Sequence, residues 1–222
     1  KRGERQQVQI DCTKTNTEWF SSKLNEVMTA CAYPLHFIDF ETSRTAVPPY
    51  KGMRPYENIA FQWSCHTIHQ AGDEPVHNEW INTEDAFPNF SFARTLMDTV
   101  GYDGTVFMWS PHENTTLKEI YNLLVVHDPS QTELIAWLDH MTKKDADEEY
   151  TMVDLNKLTV DHYFHPLMKG KTSIKAVLPA IWSSFPDLDN VHWLRDFFRL
   201  EDGERKNPYD LLPPIEIANS KE

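Results

Sequence analysis

At 222 residues the chain can form one large domain or two small ones, and its 40% hydrophobic content, with seven tryptophans and twelve phenylalanines, can fill a substantial core. A net charge of −13 argues against a broad basic surface holding duplex nucleic acid by counterion release, yet leaves room for an acidic site that draws phosphate through bound cations. Cys12, Cys31 and Cys65 show no C-x-x-C spacing, and neither a membrane-spanning apolar run nor a signal-peptide core is visible, so a globular cytoplasmic protein without a membrane partner is expected.

Residues 1–16 are polar, and Val8-Gln9-Ile10 alternates briefly enough for an edge strand. Phe20, Leu24 and Val27 stand at helical spacing, which predicts a helix over Glu18–Thr29. Then comes YPLHFIDFETS, Tyr33–Ser43, a β-favouring run that carries two acids, Asp39 and Glu41. Residues two apart on a strand share a face, so these carboxylates repel one another and, if buried, lose hydration. A hard divalent cation would compensate, since Mg²⁺ takes oxygen ligands and keeps positions open for water and phosphate. The other reading ends the strand at Ile38 and leaves both acids in water. The following stretch, AVPPYKGMRPYENI, is an irregular proline-rich loop. Its Tyr50, Lys51, Arg54 and Tyr56 suit contacts to a phosphate or a base, or belong to a rigid surface loop.

Ile59–Ile68 reads as a second strand, with Phe61, Trp63 and Cys65 on one face and Gln62, Ser64 and His66 on the other. Gly72-Asp73 marks a turn into a third strand, His77–Ile81, completing an antiparallel meander. His66 and His69 fall on opposite faces and make poor joint ligands. Phe90–Val100 carries a helical stripe that stops at Gly101, and Thr105–Trp109 is a strand reached by a crossover. Ser110-Pro111-His112-Glu113 opens another helix with the spacing of a capping box. Glu113 is therefore either a capping glutamate or an acid facing inward beside a strand end. A second capping box, Ser130 to Glu133, precedes a helix carrying Leu134, Trp137, Leu138 and Met141. Tyr150–Asp154 is a short strand, and Asp154 either faces the cleft of Asp39 or caps the helix from Leu155. Thr172 or Ser173 is an N-cap candidate, Pro179 is expected to end or kink that helix, and Lys171 and Lys175 are phosphate-contact candidates or solvated lysines. The remainder, from Trp182, is acidic and proline-rich.

The blocks YPLHFIDFET, PPYKGMRPYENIAFQWSCH, FMWSPHENTTLKEI, VDL and GKTSIKAVLPAIW resemble the domain-of-unknown-function family 2779, bacterial proteins predicted to be DEDD-type 3′–5′ exonucleases. The resemblance implies an α/β, ribonuclease-H-like mixed sheet, an antiparallel meander plus parallel strands, flanked by helices, over residues 33–222 after an N-terminal segment of residues 1–32. It implies a two-metal nuclease using Mg²⁺ or Mn²⁺ on single-stranded DNA or RNA ends, with Asp39, Glu41 and Glu113 as metal ligands. Asp154 lies close to the catalytic group, Tyr50, Lys51, Arg54, Tyr56 and Lys175 on the substrate side, and His112, His162 or His165 near the reacting proton. The alternative is a catalytically inactive ribonuclease-H-like interaction module of a larger protein. A DEDD site needs a fourth acid on a late helix; Asp187, Asp189, Asp196, Asp202 and Asp210 are available, none in a clear amphipathic helix with a histidine or tyrosine four residues earlier. With its start at Lys1, the chain therefore reads as a fragment with an incomplete metal site, low metal affinity and little activity of its own.

Overall fold

Along Leu35–Ser43, Ile38 and Phe40 are buried while Asp39 and Glu41 are exposed, the alternation a half-buried strand requires. Residues 2–142 and 151–212 are described in the structure, a computed structural model. In chain order the elements are α1 (Arg2–Thr15), β1 (Trp19–Phe20), α2 (Leu24–Thr29), β2 (Leu35–Ser43), β3 (Ile59–Ile68), β4 (Val76–Ile81), α3 (Asn89–Val100), β5 (Thr105–Met108), α4 (His112–His127) and α5 (Thr132–Met141). They continue with β6 (Val153–Asp154), α6 (Leu155–His162), β7 (Tyr163–Phe164), α7 (Ile174–Ser184) and a hairpin of β8 (Leu200–Glu201) and β9 (Glu204–Arg205), interspersed with short 3-10 turns. Two compact units result, residues 23–158 and residues 1–22 with 159–222.

The unit of residues 23–158 holds a five-stranded mixed sheet in the order β4-β3-β2-β5-β6. The meander β2-β3-β4 is antiparallel, and β5 and β6 are parallel to β2. One face carries Ile38, Phe40, Trp63, Cys65, Val106 and Met108, and α3, α4 and α5 cover it with Phe92, Leu96, Leu117, Ile120, Leu124 and Trp137. Full burial of side chains of this size contributes about 1.5–3 kcal/mol each, so the stripes of the three helices fix which sheet face turns inward. Asn89 anchors this layer: its side chain accepts from the Ala60 N–H and donates to the Asn58 carbonyl, both at 2.9 Å. The parallel register of β2 and β5 is set at Gly104, where an added Cβ would stand 2.0 Å from the Pro34 carbonyl oxygen. Its φ of +84° also suits only glycine, and the next residue, Thr105, donates its N–H to that same carbonyl at 2.9 Å.

The other unit packs α1 against β7. Arg5 donates to the Tyr163 carbonyl at 2.6 Å and lays its guanidinium over the Phe164 ring. Further along, Trp182 stacks on Phe198 with ring centres 4.5 Å apart.

Several local expectations are corrected. Residues 2–15 are helical, because Arg, Glu and Gln are strong helix formers and three alternating residues are too few to impose a strand. The helix expected over Glu18–Thr29 shrinks to α2, since Trp19–Phe20 pairs with Tyr163–Phe164 instead. Neither expected capping box forms. Helix α4 has Pro111 at its N-cap and α5 has Gln131, both without a side-chain cap bond. Ser130 instead bonds Asp128, and Glu133 pairs with Arg94 at 3.0 Å. Pro179 does not end helix α7, which runs through it to Ser184, with Val177, Ala180 and Trp182 buried. Of the strand expected at Tyr150–Asp154, Tyr150 lies outside the described residues and pairing is confined to Val153–Asp154. No helix among the described residues is long and apolar enough to cross a membrane.

Candidate metal and phosphodiester site

Three acids come from the neighbouring parallel strands β2, β5 and β6 or from the helix that follows one of them, Asp39 from the middle of β2 and Glu113 from the first turn of α4. Asp39 lies two residues past the Phe37–Phe107 register pair of β2 and β5, Glu113 follows the end of β5, and Asp154 is the last residue of β6. In open α/β sheets ligands bind outside the C-terminal ends of the parallel strands. Asp39 and Glu41 leave β2 on the face opposite the helical core, about 7 Å apart by strand geometry, both exposed. The strand does not end at Ile38, so both acids are part of the sheet. They are nonetheless wet, so the strand of the first reading is combined with the solvated acids of the second. A β-bulge follows immediately: Glu41 pairs with Gln62 but Thr42 with Ala60. Bulges turn a strand locally and re-aim its side chains.

Glu113 is the buried acid, 3% exposed in the first turn of α4. Its Oε2 has no hydrogen-bond partner among the described residues. Burial first, and then the charges of Asp39 and Asp154, push its carboxyl up to about 7, against a hydrogen bond from its own backbone N–H. The capping-box account fails at one atom. In a capping box this glutamate would accept the N–H of Ser110, but that N–H donates to Asp154 Oδ1 at 3.0 Å. Ser110 sits at φ +75°, a strained backbone for a residue with a Cβ, in the turn that delivers Glu113 to the sheet edge.

Asp154 resolves as the cap. Besides Ser110, its Oδ1 accepts the N–H groups of Asn156 at 2.9 Å and Lys157 at 3.2 Å, so it starts α6 and ties it to the turn after β5. Its charge still reaches Glu113. Among the described residues no three His, Cys, Asp or Glu side chains stand close enough together to hold a metal ion. The donor chemistry fits a hard cation at Asp39 and Glu113, with Glu41 on the same face as Asp39; Asp154, committed to three backbone donors, fits less well.

Tyr50 packs edge-on against Phe87, and Lys51 is exposed at a turn. Arg54 and Tyr56 line a pocket of about 460 Å³ together with Arg44, Glu119 and His127. That pocket flanks α4 six to fourteen residues beyond Glu113, about 9–21 Å along the axis at 1.5 Å per residue. Arg44 is held there by both oxygens of Glu119, each at 2.8 Å. His112 is exposed at the start of α4, next to Glu113.

Lys175, His162 and His165 belong to the other unit, where His162 Nδ1 contacts Ser21 Oγ at 2.6 Å and His165 caps a 3-10 turn. His66 stacks on His77 across β3 and β4 with ring centres 4.5 Å apart. Histidine does precede one late acid by four residues, at His192 and Asp196, but on a 3-10 turn rather than the amphipathic α-helix sought.

The sequence model of a domain of unknown function, DUF2779, matches residues 36–173, more than half of the chain. The chain belongs to the DUF2779 family. The matched span takes in Asp39, Glu41, Glu113 and Asp154 and stops short of Lys175, so the DUF2779 region coincides with the acids rather than with the basic residues that follow. No curated protein and no solved structure matches the chain.

Proposed function

We propose that this DUF2779 protein is a divalent-cation-dependent nuclease of ribonuclease-H-like fold, a 3′–5′ exonuclease acting on single-stranded nucleic-acid ends. The observation that carries the reading is the buried Glu113 Oε2, without a hydrogen-bond partner among the described residues and charged against by Asp39 and Asp154. A fold spends about 1–3 kcal/mol on each buried polar atom left unpaired, and such sites cluster where a ligand completes the set. The strand order, a meander followed by two parallel strands with an acid past the first strand's middle, supports the fold half of the proposal.

Asp39, Glu41 and Glu113 would hold Mg²⁺ or Mn²⁺. Bound there, a divalent cation supplies an activated water and charge stabilisation for the leaving oxygen. Asp154 acts through the backbone: by fixing the Ser110 N–H it holds the turn that presents Glu113. His112 is the exposed imidazole adjoining Glu113, positioned for proton transfer to or from water at the sheet edge. Within the loop after β2, Tyr56 is 63% exposed and offers a ring for stacking a terminal base.

A catalytically silent interaction module is the second reading, favoured by the lack, among the described residues, of three potential ligands already in contact. End-labelled single-stranded DNA and RNA, incubated with Mg²⁺ or Mn²⁺ and with wild type or Asp39→Asn, separate the two. Stepwise shortening from the 3′ end that stops with chelator and falls at least about 100-fold in the variant is expected. Equal rates in the two proteins would refute the assignment.

A further inference from the structure

Three of the chain's eight arginines, Arg195, Arg199 and Arg205, fall within eleven residues and line one pocket of about 370 Å³, together with Asp189, Phe198 and Leu200. In a protein of net charge −13 such a concentration of guanidinium is the opposite of the surrounding field. The three arginines do different things. Arg205 is committed: it donates to the carbonyls of Trp182 and Phe185, both at 2.7 Å, and to Asp189 at 2.6 Å, and its guanidinium lies over the Phe198 ring. It is a wall of the pocket and a staple of the fold around it. Arg195 and Arg199 are exposed and have no carboxylate partner among the described residues; Arg199 only donates to the adjacent Phe198 carbonyl. Of the acids nearby, Glu201 pairs with Lys206 at 3.6 Å, Asp189 is bonded by Arg205, and neither Asp196 nor Asp202 lines the pocket.

We propose that this pocket binds a phosphate oxyanion through Arg195 and Arg199. Planar guanidinium forks match phosphate oxygens in pairs, and this pair has no carboxylate partner among the described residues. The lining also speaks against recognition of a base. Phe198, the only ring in it, already has Trp182 stacked on it and the Arg205 guanidinium over it. The ligand is therefore the phosphate group itself, free or at the end of a strand, and the site belongs to the unit of residues 159–222, so it does not depend on the acids of the sheet edge.

The test uses the whole chain with Arg195→Gln/Arg199→Gln as the variant, leaving Arg205 in place because its loss would strip acceptors of their donor. Calorimetric titration at low salt with inorganic phosphate is run beside titration with a 5′-phosphorylated oligonucleotide, a 3′-phosphorylated one and the same strand without either phosphate. Matching circular dichroism and melting curves verify that the variant is folded. Saturable binding of inorganic phosphate or of a phosphorylated strand, weakened at least about tenfold in the variant and by added salt, is expected. Tighter binding of one strand than of inorganic phosphate would identify a terminal phosphate as the source, and equal binding would identify free phosphate. Absence of phosphate binding by wild type, or equal affinity in the folded variant, would overturn the proposal. Its outcome is independent of hydrolysis, which Asp39→Asn tests.

Discussion

Replacing Glu113 with glutamine should stabilise the protein at alkaline pH. The Glu113 carboxyl is held near 7, above its ordinary value of 4.5, chiefly by burial. A carboxyl raised in this way binds its proton more tightly folded than unfolded. Its contribution is fully present below pH 4.5 and is lost as the pH rises through about 7. The interval from 4.5 to about 7, at 1.36 kcal/mol per pH unit, amounts to about 3 kcal/mol of destabilisation at pH 8 that an amide of the same shape does not suffer. The wild-type curve alone does not isolate this effect. Burial holds His36 below the usual imidazole range, and burial followed by His77 does the same for His66, so these two weaken the fold as pH falls. The difference between Glu113→Gln and wild type cancels the histidines. Urea unfolding in the presence of a chelator, at about pH 5 and pH 8, should give a difference near zero at the acid end and a gain of about 3 kcal/mol for the variant at the alkaline end. A loss of stability equal at both pH values would show Glu113 to be an ordinary structural acid and refute the reasoning.

Asp154→Ala removes the acceptor of three backbone N–H groups, those of Ser110, Asn156 and Lys157, and should cost about 2–3 kcal/mol in urea unfolding, with Asp154→Asn losing less. Gly104→Ala drives a methyl against the Pro34 carbonyl at a positive φ and should lose about 3 kcal/mol or more, read as a fall in melting temperature.

The sheet was legible because its strands obey a period of two. Ile59–Ile68 shows its buried Trp63 and Cys65 at alternate positions, and the stripe of Phe90, Ala93, Met97 and Val100 stops at Gly101, with the last three buried and Phe90 packed against the core. The helix starts were legible to within a residue or two, but their capping bonds were not. Ser110 and Ser130 have the right neighbours for capping boxes, but a carboxylate brought from 44 residues away takes the Ser110 N–H, and Asp128 takes the Ser130 hydroxyl. A long-range partner such as Asp154 leaves no local trace. At the site, Asp39 and Glu41 were readable as a same-face pair, whereas their exposure and the burial of Glu113 depend on which side the helices cover. Of the basic residues chosen as substrate contacts, Lys51 and Arg54 belong to the loop after β2 and Lys175 to α7 in the other unit. Arg195, Arg199 and Arg205 had no sequence signal, because turns with no fixed period bring them together.

The central claim is that Asp39 and Glu113 jointly hold a divalent cation, and Mn²⁺ titration followed by the spectrum of the free ion tests it most directly. Wild type, Asp39→Asn and Glu113→Gln, all shown to be folded, are titrated at about pH 8, above the Glu113 range. Saturable binding by wild type that weakens at least about tenfold in each variant is the predicted result. Binding that is identical in all three proteins, or absent from wild type, would contradict it.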